Sequence, residues 1–358
     1  MNQTLTRFIS GEIIKSTLFV FVLLLALFAF FDMLNQLQDL GKGRYQLWMV
    51  FTFVGLSLPA RIYELFPIAA LIGSLHALSQ MSANSEYTVM RASGVSNLGV
   101  IARLLPAGLL FAGLTYAFGE YIAPPAERTA NNMRLQATNS VVAQEFRSGL
   151  WVKEDKSFIN VRVVQPDNQL ADVRIYQFDN KFNLKKIIRA DNATFIHGNE
   201  WSLHGISETT FAPQGVELTR QQDKVWHTVL NPSILSVLLV APEHMPLKDL
   251  YTYIQHLSRN KQKTSRYEIA LWNKLTYPFT ALSMMLLALP FAQSQRRSTN
   301  VGLKLFVGIL LGLAFHFINS LFKHLGLLYD WPPVISATMT TVVVLTLGAV
   351  MTFHQERR

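Results

Sequence analysis

Two stretches of the chain hold side chains whose types and spacing could do chemistry. The first reads Gln80-Met-Ser-Ala-Asn-Ser-Glu-Tyr-Thr-Val-Met-Arg-Ala-Ser-Gly94. It predicts a short helix over about residues 82–94, with Ser82, Asn84 and Ser85 as candidate N-caps and Gly94 placed to end it. Glu86 falls in the first turn, where the helix dipole favours an anion, and Tyr87, Met90 and Arg91 are three or four residues apart and can share a face. Such a helix can dock in a groove of a protein partner with Glu86 as its charged contact. The same spacing also describes a capped surface connector. The second stretch runs from Gly119-Glu120 through Pro124-Pro125 to Arg134. Its prolines predict a helix that breaks and resumes, with Arg128 and Arg134 bordering one opening. A guanidinium fork matches a phosphate with two parallel bonds, although pairing with lipid headgroups or with Glu127 would use the same arginines. Lys42, Arg44 and Arg61 are expected at a similar depth and carry the same two readings.

Other chemistries lack their residues. No G-x-x-x-x-G-K-[ST] loop is present, the nearest string being Gly41-Lys-Gly-Arg44, so nucleotide hydrolysis by that route is not expected. The nine histidines form no H-E-x-x-H pair, no G-x-S-x-G elbow occurs, and the absence of cysteine excludes thiolate metal sites and cysteine catalysis. The sequence argues against a self-contained enzyme or an ion-driven pump.

These residues must be positioned by membrane helices. Of 358 residues, 50% are hydrophobic and 15% are charged. The formal charge of +9 comes from basic residues of which several flank apolar runs, which points to membrane topology rather than to nucleic acid. Six runs have spanning length: about 13–31, 56–78, 98–118, 269–291, 301–322 and 334–353. The first resembles a signal peptide in layout, with Arg7 ahead of an apolar core, but its length predicts an uncleaved span. The second, interrupted by Pro59, Arg61, Glu64 and Pro67, predicts an interfacial start and a kink. Arg7, Lys15, Arg91, Arg103, Arg296, Arg297, Lys304, Arg357 and Arg358 flank one side, against Lys42, Arg44 and Lys323 on the other. This places both termini in the cytoplasm.

The polar segment between spans three and four must then lie outside, and it is too long to lack structure. Phe158–Val164, Val173–Phe178 and Ala193–Ile196 have strand composition, and turns are expected at Gln165-Pro-Asp-Asn168, Asp179-Asn180, His197-Gly-Asn199 and Pro213-Gln-Gly215. The expected fold is a membrane α-helical protein with six transmembrane helices and an inserted antiparallel β-sandwich or jelly roll. Its parts are residues 1–135, the β-domain 136–245, and 246–358. The last begins with an amphipathic helix over Leu247–Leu257 that turns Leu247, Leu250, Tyr251 and Ile254 to one face. If two such units met face to face, a Leu/Phe-lined cavity with arginines at its outer rim would suit a multi-chain amphiphile with a phosphorylated head.

The chain resembles the lipopolysaccharide-export permeases of the LptF/LptG (YjgP/YjgQ) type. The resemblance is carried by Phe66-Pro-Ile-Ala-Ala-Leu-Ile-Gly73, Ser85-Glu86 through Met90, Ala92-Ser-Gly94, Gly119-Glu120 with Ala123-Pro124, Gly149-Leu-Trp151 and Trp331-Pro-Pro-Val-Ile335. Ala92-Ser-Gly94 and Pro332-Pro333 make it more similar to the LptG branch than to the LptF branch. The resemblance implies a bacterial inner-membrane permease subunit of an ABC transporter, with both termini cytoplasmic and the β-domain periplasmic. It implies an LptF-type permease, a dimeric cytoplasmic ATPase, periplasmic jelly-roll proteins and lipopolysaccharide as partners. It also implies that ATP and Mg are bound by the ATPase, with no cofactor in this chain. The helix around Glu86 would be the coupling helix, spans one and five would be lateral gates, and Arg134 would match a basic position facing the lipid phosphates. At a second such position this chain has Asn131, with Arg128 one turn away, and Asp32 stands where some relatives carry lysine. Two other readings are a membrane-anchored scaffold whose β-domain binds partners, and a headgroup-modifying enzyme, for which no nucleophile or metal constellation is found.

Overall fold

A computed structural model of the chain describes residues 2–138, 149–164, 169–212, 215–228, 230, 241–294 and 301–356. The long apolar runs form helices: α1 (Asn2–Leu37), α2 (Leu47–Ala83), α4 (Asn97–Ala117), α7 (Ser265–Ser294), α8 (Val301–Leu328) and α9 (Pro333–Glu356), with the short α3 (Glu86–Ala92) between α2 and α4. A π turn, Phe118–Ile122, joins α4 to α5 (Ala123–Thr138). Among the described residues six helical segments are long and apolar enough to cross a membrane, in the order expected.

The second span runs through its prolines: α2 is helical across both Pro59 and Pro67. The third does not break at Pro124-Pro125. These prolines fall in the first turn of α5, where a missing N–H costs nothing, and the irregularity is the π turn before them. The continuous segment Asn97–Thr138 has 42 residues, about 63 Å at 1.5 Å per residue, twice the hydrocarbon thickness. Its α5 part runs beside the start of α2, where Ala137 is buried with Tyr45 and Val50.

α2 and α7 form the centre of the bundle, packing Leu71, Leu75, Met284 and Ala288 with Ile9 and Ile13 of α1 and Val100 of α4. A Cβ on Gly73 would come within 2.4 Å of the Thr17 backbone, so glycine sets the approach of α1 to α2. α1, α8 and α9 turn much of their apolar surface outward, including Phe19, Leu23, Leu313 and Val350.

The inserted domain is a six-stranded antiparallel sheet of β1 (Leu150–Glu154), β2 (Ser157–Val164), β3 (Gln169–Phe178), β4 (Leu184–His197), β5 (Glu200–Ala212) and β6 (Gly215–His227). Each strand pairs with its neighbours in sequence, an order that turn spacing does not give. Alternation puts Ile159, Val161, Val173, Ile175, Ala190 and Trp201 into one buried face, in register across the strands. Asp179 builds the β3–β4 turn by accepting from the Lys181 and Asn183 N–H groups at 2.7 and 2.9 Å. The turn expected at 165–168 and residues 213–214 of the one expected at 213–215 lie outside the described residues, as do Arg296, Arg297, Arg357 and Arg358.

After the sheet, α6 (Leu247–Arg259) returns the chain to the bundle. Its buried face is Leu250, Tyr253 and Leu257, not the expected Leu247, Leu250, Tyr251 and Ile254, and Tyr251 is exposed. The rotation follows from packing: Tyr253 meets the Tyr267 ring edge-on at 4.6 Å, above Met245 and Ala270.

Candidate functional site

The candidate residues lie at opposite ends of the bundle. At one end α3 crosses between α2 and α4. The sequence segment from 82 is divided, because α2 continues to Ala83 and α3 starts at Glu86. None of the expected caps forms at α3: Ser82 belongs to α2, Asn84 ends that helix, and Ser85 turns back with φ 64 and no side-chain cap bond. Glu86 does lie in the first turn, and Gly94 ends the segment at φ 85. Tyr87, Met90 and Arg91 do not share a surface. Tyr87 and Met90 are buried, the Tyr87 hydroxyl donating to Asn97 Oδ1 at 2.8 Å, whereas Arg91 is exposed. The face turned outward carries Thr88, Val89 and Arg91, with Glu86 half-buried at its edge. Val89 is the informative residue, since a valine 63% exposed on a seven-residue helix leaves apolar surface uncovered. Beside it a groove of about 740 Å³ opens, lined by Leu5, Phe8, Val89, Met90, Val95 and Arg103 among others.

At the other end the cations are already engaged. Arg61 makes a two-pronged pair with Asp32, both bonds 2.7 Å, and reaches Glu64 at 2.8 Å. Asp32 thus has a defined use inside this chain. Arg134 donates from Nε and Nη2 to Asp39 at 2.9 and 2.6 Å, and its guanidinium lies 5.9 Å from the Phe53 ring centre. Lys42 shares Asp39 at 2.7 Å. Lys42, and with it Arg134, holds the Asp39 carboxyl below its ordinary value although partial burial opposes the shift. Arg128 pairs with Asp249 of α6 at 2.6 Å. Arg128 and Arg134 are therefore drawn to carboxylates on different elements, and Glu127 pairs with neither, its partner being His244 at 3.0 Å. Arg44 differs: its side chain is exposed and, among the described residues, is in no ion pair, while its N–H donates to the Ala137 carbonyl at 2.6 Å.

Sequence reasoning missed the carboxylates that neutralise these cations. Asp39 and Arg134 are 95 residues apart and Arg128 and Asp249 are 121 apart, so no local spacing pairs them. It also passed over Lys274, a buried cation inside an apolar span, which is by itself a signal.

Six apolar crossings around an inserted antiparallel sheet define a multi-pass membrane protein with one extramembrane β-domain. Residues 7–354 match the family described as lipopolysaccharide export system permease LptF/LptG, and the chain belongs to that family. It is 29% identical over 348 residues to the lipopolysaccharide export system permease protein LptG of Haemophilus influenzae, covering 97% of each chain. To the protein of the same name from Escherichia coli K12 it is 29% identical over 337 residues, covering 94% of each.

Proposed function

We propose that this chain is one of two homologous permease subunits of an ATP-driven exporter that takes lipopolysaccharide from the inner membrane and hands it to a periplasmic protein bridge. What supports the reading most is that the family match runs through the bundle and the inserted sheet together, from residue 7 to 354. Both termini and α3 are then cytoplasmic, and the β-domain is periplasmic. ATP and Mg belong to a dimeric cytoplasmic ATPase, and this chain supplies no cofactor site.

In this reading α3 is the coupling helix. Glu86 and Arg91 are its charged contacts and Val89 its apolar one, while Tyr87 and Met90 hold the helix to the bundle. Its groove next to α1 receives part of the ATPase. At the periplasmic rim Arg44, Lys42, Arg61, Arg128 and Arg134 form a cationic border to the lipid phosphates, four of them poised against carboxylates that a phosphate must displace. Direction comes from a difference in lipid affinity between the open and closed cavity formed with an LptF-type partner.

The test is extraction of the tagged chain from its native membrane into lipid nanodiscs, followed by mass spectrometry of what remains bound. A homologous six-span protein, an ATPase and lipopolysaccharide are the expected companions. Recovery of the chain alone would replace the exporter with a membrane-anchored scaffold.

A further inference from the structure

The Gly119-Glu120 pair sits on the π turn. A Cβ on Gly119 would lie 2.5 Å from the Tyr63 ring, so glycine lets the turn press against α2. Tyr63 in turn packs on Tyr277 of α7, ring centres 4.7 Å apart, and the Tyr277 hydroxyl donates to the Glu64 carbonyl at 2.8 Å. α2, the π turn and α7 are thereby held at one level.

Glu120, its side chain 11% exposed, uses this support to reach the linker that leaves the β-domain. Its two carboxylate oxygens accept from the N–H of Leu247, the first residue of α6, at 2.9 and 3.1 Å. Its Oε2 also lies 3.3 Å from the ammonium of Lys274, itself 5% exposed, and that ammonium donates to the Met245 carbonyl. α6 begins after Pro246, which has no side-chain oxygen to cap it. Glu120, 127 residues away in the chain, supplies the acceptor that a local Ser or Asp would otherwise provide. Arg128–Asp249 and Glu127–His244 repeat the tie between α5 and the linker.

We infer that Glu120 is a positioning residue that fastens the start of α6, where the chain returns from the β-domain, to the π turn and α7, so that α4–α5, α7 and α6 shift together and carry their movement toward the β-domain. The purpose of that shift rests on the export reading; the fastening rests on the geometry.

Removing one charge alone would leave the other buried and unpaired, which confuses positioning with misfolding. Two charge-neutral double variants avoid this. E120Q/K274M keeps an oxygen that accepts from the Leu247 N–H, and E120A/K274M removes it. Both are made in the full chain, with its bound partners, in native-lipid nanodiscs. Amide exchange over 247–259 is expected to stay within about twofold of the parent in the first and to rise about tenfold in the second. Photocrosslinking of lipopolysaccharide from a probe replacing Phe53, near Arg134, should not separate the two variants. ATP-driven labelling from a probe replacing Phe195 in the sheet should fall about fivefold in E120A/K274M only. Equal exchange in the two variants overturns the fastening. Faster exchange with undiminished Phe195 labelling overturns the transmission. Absence of lipid labelling in the parent at both probes overturns the export reading instead, and the exchange result still decides whether Glu120 fastens α6.

Discussion

The two ends of the helical bundle treat their charged side chains in opposite ways. At the end bearing α3, Glu86 is half-buried, Arg91 and Val89 face outward, and the helix is held from beneath by Tyr87 and Met90. At the end bearing the sheet, Arg61, Arg128, Arg134 and Lys42 are each tied to a carboxylate of another segment or turn within 2.9 Å. The first arrangement is an anchored helix with an uncommitted face, which suits a partner that stays docked. The second is a set of cations held in reserve, which suits a ligand that must be released. Asp32 and Asp39 are mostly buried, so a phosphate that takes their place must itself satisfy the arginine and lysine charges they now neutralise.

The largest effect expected from this contrast is at α3. Glu86→Lys should reduce recovery of the ATPase with the purified chain about tenfold or more, because a wrong-sign charge at a docked face is costly. Val89→Ala should reduce it less. Unchanged recovery with Glu86→Lys, measured at matched expression, would remove α3 from the docking role and erase the contrast at that end.

At the opposite end the contrast is sharpened by removing the competitor. Asp39→Asn frees Arg134 and Lys42 together, and lipopolysaccharide binding in nanodiscs should tighten about threefold, within the range of a partly exposed pair. Arg134→Gln should weaken it. If Asp39→Asn weakens binding as much as Arg134→Gln does, the carboxylate organises the rim rather than competing for it.

The number and order of the crossings were legible because a run of apolar residues long enough to cross hydrocarbon has few other uses. The β-domain was legible as composition and turns, but only three of its strand runs, in β2, β3 and β4, stood out. β6 is exposed along nearly all of its length, and its polar residues give little alternation to read. Helix ends were legible only locally. Nothing in Phe118–Ile122 announces a π turn, and Ser85 looks like an N-cap until its backbone is seen at φ 64. The cationic rim was half legible: the arginines show in one sequence, whereas Asp32, Asp39 and Asp249 become their partners only when α1, the loop after it and α6 are brought together. Glu120 stood out with Gly119, but its use depends on Leu247 and Lys274, which only the fold delivers.

The smallest expected effect is a pH dependence in the ties around the linker. Burial pulls the His244 imidazole pKa down, but the Glu127 carboxylate at 3.0 Å, with Glu64 and Glu243 behind it, pushes it up further, and the net shift is upward. A histidine whose pKa is raised by folding lends its full stabilisation below its unfolded value of about 6.5. That stabilisation fades as pH climbs through the raised value. Amide exchange over 243–250, corrected for intrinsic base catalysis, should therefore accelerate between about pH 6 and 8.5, by threefold or less for a partly exposed pair. His244→Gln should show the faster rate at both pH values. A parent profile as flat as that of His244→Gln would mean that Glu127–His244 adds nothing to the linker, leaving Glu120–Lys274 and Arg128–Asp249 to hold it.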